Sequence, residues 1–469
     1  MKNICLSLLL ILSCFRLMAQ DTLYRFSEKQ CIQLVKTFHP LAKQAQLDVA
    51  IQAAEQRKAR AAFDPVLDAS KGQKILGGSN YYEYQTWNID IPTWYGIELE
   101  AGQEQFNGDR LSNERTSGNL SYAGISFSVL QNLMIDKRRA YLKQAGILLD
   151  QSRFEQNNAI NDLLYEALQA YWEWAQAYAE REVIQKGMKN AEQRLVFTRQ
   201  QVMIGERAGI DSVEAQVQFQ YFQQQNYEAE WRLQQARYVL SAFLWQDDKT
   251  PYVLPNNIQP EFPASSPAII SNNLEQEDFF LNELFDTHPA LNAYQQKINY
   301  WQVSRQLARQ ELLPKLDVQY RFLNKKNNAV FSEAFPLLNN NFQYGVKFNM
   351  PLRLSEGRAD VRITKLKQEQ TRFDLYNKQQ LLANKVKANY TGVKVLAAQW
   401  QLQQDLVSNQ LKLQTGEEIR FQQGESSLFL MNSREQKTIE AQQKEAAIKA
   451  KFYKQKASLM WSAGLLYAL

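Results

Sequence analysis

Apolar residues along this chain recur with two periods, and the places where the period changes divide it. From Pro40 the positions Ala42, Ala45, Leu47, Ala50, Ile51 and Ala54 keep helical spacing without a glycine, and from Pro289 so do Leu291, Tyr294, Ile298, Trp301 and Leu307. A proline suits the first turn of a helix, where its missing N–H would have had no partner. Each run stops at a second proline, Pro65 or Pro314, which cannot continue a helix. Past it the period falls to two. Leu316, Val318, Tyr320 and Phe322 alternate with Asp317, Gln319 and Arg321, which predicts a helix handing over directly to a strand with one apolar face. The block occurs twice: the second proline follows His39 or His288 by 26 residues in both copies (65 − 39 and 314 − 288), at a constant offset of 249 (288 − 39). A tandem duplication of a helix-into-strand unit explains this.

Three further stretches alternate. Tyr95, Ile97, Leu99 and Ala101 interleave with Gly96, Glu98, Glu100 and Gly102; Ala123, Ile125, Phe127 and Val129 with Gly124, Ser126 and Ser128; Phe342, Tyr344, Val346, Phe348 and Met350 with Gln343, Gly345, Lys347 and Asn349. Roughly nine to eleven residues is what a tilted strand needs to cross a bilayer with one face on lipid and the other on a wet lumen. A half-buried soluble sheet would alternate in the same way. Aromatic residues gather around these stretches (Tyr81, Tyr82, Tyr84, Trp87, Trp94, Tyr95, Tyr122 and Phe335), as they do at a membrane–water boundary. Copy one also carries turn signals at Gly77-Gly78-Ser79-Asn80, Pro92-Thr93 and Asn107-Gly108-Asp109, enough for an extra hairpin, where copy two has one long connection from Leu323 to Asn341. The sequence leaves open whether the extra strands lengthen a barrel or loop outside it.

Very long helical stretches follow. From about Leu133 to Ile204 there is no proline, and Leu164, Leu168, Tyr171, Ala175, Tyr178, Ile184, Met188, Ala191 and Leu195 form a coiled-coil seam. At 1.5 Å per residue such a helix reaches on the order of 100 Å. Its counterpart runs from about Glu356 to Phe421. Each ends in a glycine-bearing turn, Gly205-Glu206-Arg207-Ala208-Gly209 or Gln423-Gly424-Glu425-Ser426-Ser427, before a shorter returning helix, Ile210 to Trp245 or Leu428 to Leu466. The exposed positions are rich in Gln, Asn and Ala, which suits a wall with water on both sides. Asp247 to Asn273, with Pro251, Pro255, Pro260, Pro263 and Pro267, reads as a linker with little regular structure.

The chain therefore divides into a targeting segment at 1–19, a first repeat at 20–246 (helix 27–63, strands within 66–131, helical hairpin 133–246), the linker at 247–273, and a second repeat at 274–469 (helix 289–313, strands 315–352, helical hairpin 355–467). Lys2, the apolar run Ile4 to Leu12 and Leu17-Met18-Ala19 before Gln20 make an export signal. A rival reading takes Ile11-Leu12-Ser13-Cys14 as a lipoprotein box with Cys14 acylated. Either way the chain is exported, and of Cys5, Cys14 and Cys31 only Cys31 survives simple cleavage, so no intrachain disulfide or cysteine metal site is expected.

Removing Lys2 and Arg16 from the 54 basic residues leaves 52 against 49 acidic ones, without the basic patch of a nucleic-acid binder. No apolar run after the signal is long enough for a membrane-spanning helix, so a membrane would be crossed by strands. No GxxxxGK[ST] phosphate loop and no nucleophile elbow occur, no cofactor is implied, and an enzyme is not expected. His39 and His288 are the only histidines. Both precede helix-opening prolines, Pro40 and Pro289, which favours structural capping over metal ligation. Trp172 and Trp174 with Tyr171 and Tyr178 read as seam packing.

The two proline-bounded blocks, the strand endings Ile125-Ser126-Phe127-Ser128-Val129-Leu130 and Val346-Lys347-Phe348-Asn349-Met350-Pro351-Leu352, and the tips Gly205-x5-Asp211 and Gly424-x5-Leu430 occur in an order that resembles the TolC family of outer-membrane efflux proteins over essentially the whole mature chain. The resemblance implies a mostly α fold with membrane β-strands: a homotrimer whose subunits share one β-barrel of the twelve-stranded type in the outer-membrane lipid, joined to a periplasmic α-barrel. It further implies docking to a periplasmic adaptor and an inner-membrane pump, with no nucleic acid involved. The tips Gly205, Glu206, Arg207, Gly424, Glu425 and Ser426 would meet the adaptor, and Asp211, Glu214, Phe421, Leu430 and Ser433 would lie at the periplasmic constriction.

Asp211 matches the acidic residue of the family's first tip. Its usual basic and tyrosine partners map to Ser426 and Phe421, so that latch is missing. The paired constriction aspartates map to Leu430 and Ser433, a departure from the family pattern. Asp211 and Glu214, one turn apart, would replace them as a negative ring; the plainer reading is a pair of solvated acids at a helix start, favoured by the dipole. The expected function is a passive export duct for small molecules or polypeptides in a tripartite or type I system. A periplasmic adaptor and a structural coiled-coil envelope protein are the alternatives; an adaptor would need a lipoyl-like domain and a single hairpin, and a scaffold leaves the amphipathic strands without a purpose.

Overall fold

The structure, a computed structural model, describes residues 24–112, 115–247, 250–255, 257–263, 275–325, 341–350 and 352–469. The targeting segment with Cys14, Pro267, Phe335, Pro351 and most of the Leu323–Asn341 connection lie outside these residues. In chain order the elements are β1 (Tyr24–Phe26), α1 (Glu28–Phe38), α2 (Pro40–Arg60), β2 (Val66–Leu76), β3 (Ser79–Pro92), β4 (Ile97–Asn107), β5 (Gly118–Ser128), α3 (Lys137–Met203), α4 (Gly209–Ser241), β6 (Ile258–Pro260), α5 (Glu277–Thr287), α6 (Pro289–Gln310), β7 (Lys315–Asn324), β8 (Phe342–Asn349), α7 (Ser355–Gln422) and α8 (Leu428–Ser462).

Three boundaries differ from the sequence reading. The single helix expected over 27–63 is two, because His39 precedes Pro40 and sits at φ −63°, ψ 133°, outside the helical region. Its first part opens on a capping box in which the Ser27 side chain accepts from the Gln30 N–H and Gln30 accepts from the Ser27 N–H. Helix α3 begins at Lys137 rather than Leu133, since the Asp136 carboxylate accepts from the Arg139 N–H at 2.8 Å and fixes the start there. The linker carries regular structure after all: β6 pairs in parallel with β1, Tyr24 opposite Ile258 and Phe26 opposite Pro260. A proline at the end of a short edge strand forfeits no ladder bond.

The chain divides into two units. One comprises Leu47–Glu155 and Ala290–Lys378 and holds a six-stranded sheet in the order β2-β3-β4-β5-β7-β8, every neighbour antiparallel. The first repeat gives it four strands and the second two. The apolar residues foreseen on β4, β5, β7 and β8 share one face across the register: Leu99 opposite Ile125, Ile125 opposite Tyr320, Tyr320 opposite Tyr344. Leu67 on β2 and Trp87, Ile89 and Ile91 on β3 continue that face, and these large side chains are exposed.

The opposite face is polar. Glu100 accepts from Arg321 (2.7 and 2.9 Å) and Gln319 (2.8 Å), and the Tyr122 hydroxyl donates to Asn88 (2.9 Å). A trimer with twelve strands needs four per chain; this sheet has six. At its helical end Val129 and Gln131 extend the β5–β7 pairing through bonds to Leu316 and Pro314, and the Trp94 ring stacks on Phe63 at 4.5 Å.

The other unit, reaching to Gln46 and including Gln156–Pro289 and Gln379–Leu469, is helical apart from β1 and β6. The seam residues Leu164, Leu168, Tyr171, Ala175, Ile184, Ala191 and Leu195 are buried, each large apolar side chain contributing roughly 1.5–3 kcal/mol. Trp172 stacks on Tyr453 at 4.2 Å, and the Tyr171 hydroxyl donates to the Phe26 carbonyl at 2.8 Å, holding the small β1–β6 sheet. Lys449 lies over the Phe262 and Trp400 rings, and burial lowers its pKa from the ordinary lysine value. Cys31 is fully buried, and burial pushes its thiol up, away from the reactive thiolate. Neither unit holds a helix long and apolar enough to cross a membrane, among the described residues.

Candidate functional site: the two helical tips

Both long helices end in the same hydrogen-bonded turn. At the first tip the Gly205 N–H bonds to the Val202 carbonyl (3.1 Å) and the Glu206 N–H to that of Gln201 (2.9 Å); at the second Gly424 bonds to Phe421 (3.2 Å) and Glu425 to Arg420 (2.9 Å). This 5→2 and 6→1 pair is a Schellman motif, and it needs a residue in the left-handed region. Gly205 and Gly424 supply it, both at φ +79°.

The returning helices start differently. Ser427 precedes α8 and its hydroxyl accepts from the Leu430 N–H, whereas Ala208 precedes α4 and offers no side-chain acceptor. Asp211 in the first turn of α4 favours that helix only through its charge.

Arg207 joins the tips. Its guanidinium donates to the Gln201 amide oxygen at 2.6 Å, pairs with Asp211 at 3.5 Å, and lies over the Phe421 ring, 4.2 Å from its centre. Phe421 is buried with Leu195, Ala215, Leu428 and Met431. A basic residue of the first tip thus reaches the aromatic ring of the second. Ser426 donates to Glu417, whose other oxygen lies 3.9 Å from Arg434.

Deeper in, Arg194 of α3 bonds to Glu435 of α8 at 2.8 Å with side chains only 9% and 2% exposed, and to Asn432 at 2.7 Å. Asn432 in turn donates to Glu214 at 3.4 Å. The two acids considered as a ring are thus each engaged by a side chain of the same copy, Asp211 by Arg207 and Glu214 by Asn432.

An open cavity of about 1100 Å³ brings part of the predicted set together: Glu206, Arg207, Asp211, Phe421, Gly424 and Ser426 line it. Gly205, Glu425, Glu214, Leu430 and Ser433 do not. Leu430 is exposed. At the other end of the same unit the His39 Nδ1 accepts from the Leu41 N–H at 3.2 Å, inside the first turn that Pro40 opens, while His288 is buried against Gly464 and just ahead of Pro289. No group of histidine, cysteine and carboxylate side chains suited to a metal occurs among the described residues.

Arg194, Asn432 and Glu435 were missed by the sequence reading, and a signal for them existed. Arg194 falls between the seam residues Ala191 and Leu195, and Glu435 stands midway between Met431 and Ile439 at steps of four. A lone charge inside an apolar row calls for an opposite charge facing it.

Residues 280–465 match the family of outer membrane efflux proteins. The second repeat is an outer membrane efflux protein domain. With the efflux domain placed there, the matched segment contains all of α6, β7, β8, α7 and α8, and the resemblance drawn from the sequence holds at the level of the family. The fold of the chain is similar to that of solved channels. A membrane protein from Pseudomonas aeruginosa superposes with a TM-score of 0.64 at 12% identity, covering 93% of this chain and 93% of that one. The CmeC outer membrane channel of Campylobacter jejuni gives 0.61 at 14%, covering 93% and 85%. The open state of the Neisseria gonorrhoeae MtrE outer membrane channel gives 0.62 at 14%, covering 93% and 88%. No curated protein matches the chain significantly by sequence.

Proposed function

We propose that this chain is the subunit of a passive outer-membrane export duct: a homotrimer whose strands form one β-barrel in the outer membrane and whose helices line a periplasmic tube, opened at its tips by an adaptor and powered by an inner-membrane pump. The observation that carries the reading is the two-faced sheet. One face is an apolar band across six strands, exposed on five of them and half-buried on β7, and the other holds Glu100, Arg321, Gln319 and Asn88 in a polar network. Lipid outside and water inside is the environment such a sheet fits. The efflux domain in the second repeat and the likeness to solved channels support the same reading. The chain has no catalytic part to play; cargo passes through it.

In this reading the tips are the gate and Arg207 is its clasp, since it ties the two returning turns of one copy through Asp211 and Phe421. Asp211 and Glu214 contribute negative potential at the constriction while held by Arg207 and Asn432. Single-channel recording of the purified protein in a planar bilayer tests this. Wild type is expected to give small cation-selective currents, Asp211→Ala/Glu214→Ala to lose the selectivity, and Arg207→Ala to raise the conductance. Folded oligomers that pass no current would reject the duct and return the chain to an envelope scaffold.

A further inference from the structure

Strands β2 and β8 stand at the two edges of the sheet, each paired on one side only among the described residues. In hydrocarbon a row of unpaired N–H and C=O groups is too costly to leave unmet, so both edges need a partner strand. The sheet cannot supply it by closing on itself. About eight strands already leave an interior just wide enough for side chains, and the polar face of these six carries Tyr84, Phe106, Tyr122 and the Glu100–Arg321 pair.

The strands alternate in direction, β2 leaving the end of α2 and β8 leading into α7. The β2 edge of one copy and the β8 edge of another therefore meet antiparallel, as every pair inside the sheet does. A head-to-tail contact of this kind closes into a ring under cyclic symmetry.

Resting on the trimeric duct above, we propose that β2 of each copy pairs with β8 of the next and that all six strands of every copy stand in the wall, so that three copies enclose an eighteen-stranded barrel (three times six). The two additional strands of the first repeat belong to the wall rather than to a loop outside it. Their apolar side chains, Trp87, Ile89, Ile91, Ile97 and Leu99, continue the exposed band. Their polar side reaches across neighbours, Asn88 of β3 to Tyr122 of β5 and Glu100 of β4 to Arg321 of β7. A hairpin folded away from the wall would make neither connection. Barrels of sixteen to eighteen strands leave an aqueous channel, so the narrowest part of the duct is then at the tips.

Cysteine cross-linking combined with the mass of the detergent-purified assembly tests the proposal. Ser70→Cys on β2 and Gly345→Cys or Lys347→Cys on β8 place thiols on the polar face of the two edges. Each single variant first has to migrate as the same heat-modifiable oligomer as wild type. Oxidation of a double variant is expected to give a ladder of two and then three linked copies that ends at three. A trimer that forms no β2–β8 link with either partner position overturns the six-strand wall and leaves the duct standing. A linked assembly with the mass of two copies overturns the eighteen-stranded count in favour of twelve. Monomers alone would remove the trimeric reading and this proposal with it.

Discussion

The turns at Gly205 and Gly424 make the same pair of hydrogen bonds at the end of a long helix and differ in how the next helix begins. The two turns share the backbone motif, down to a common φ of +79°, while the side chains around it differ. The second tip is capped by Ser427 and carries the Ser426–Glu417–Arg434 chain of contacts within its own hairpin. The first has no cap at Ala208, and its Arg207, held by Gln201 and Asp211, also lies over Phe421 of the second tip. The first tip is thus the less self-sufficient, and the buried Arg194–Glu435 pair beneath it ties α3 to α8 close to the tips.

That contrast can be broken most severely at the buried pair. Arg194→Ala strands Glu435 without a counter-charge, and a loss of about 3–5 kcal/mol is expected, read as a fall in the unfolding midpoint; a joint Arg194→Met/Glu435→Leu replacement should restore most of it. Gly205→Val and Gly424→Val each force a branched residue into the left-handed region and should cost about 1–2 kcal/mol, nearly equally, because the two turns are alike. Unequal melting shifts would show that the tips differ in backbone as well.

Capping sharpens the comparison with opposite signs: Ser427→Ala is expected to lose ~1 kcal/mol while Ala208→Ser gains ~1 kcal/mol or less, visible as proteolysis at the second tip speeding up and at the first slowing down. The smallest effect is expected from acid. Burial holds the His39 pKa below its ordinary value, so the neutral ring is favoured in the fold. The stability this gives is present above the unfolded histidine value near 6.5 and is lost as pH falls from there through the folded value. Melting curves between pH 7.5 and 5 should show that loss in wild type and a reduced one in His39→Gln.

How much of this was legible depended on whether the physics was local. Proline punctuation and the switch from helical to alternating spacing are local, and the helix-to-strand passages at Pro65 and Pro314 are present where those signals stand. The break at His39 was equally local and followed from Pro40. Pairing is not local. Nothing in Tyr24–Phe26 or Ile258–Pro260 announces their partnership, which depends on Tyr171 holding them from a distant part of the chain. At the tips the glycines could be read directly. The reach of Arg207 to Phe421 could not, because it joins residues more than two hundred positions apart whose own neighbours give no hint of each other.

Cys31 sets a chemical condition for a protein of this kind. In the export duct proposed above the chain works where thiols are driven toward disulfides, and a surface cysteine there would couple copies at random or capture thiol-bearing cargo in transit. Fully enclosed by α1 and its surroundings, with its thiol kept protonated by burial, Cys31 is withdrawn from that exchange. Cys31 is the one cysteine among the described residues, and its burial leaves no exposed native sulfhydryl there for an oxidant to attack.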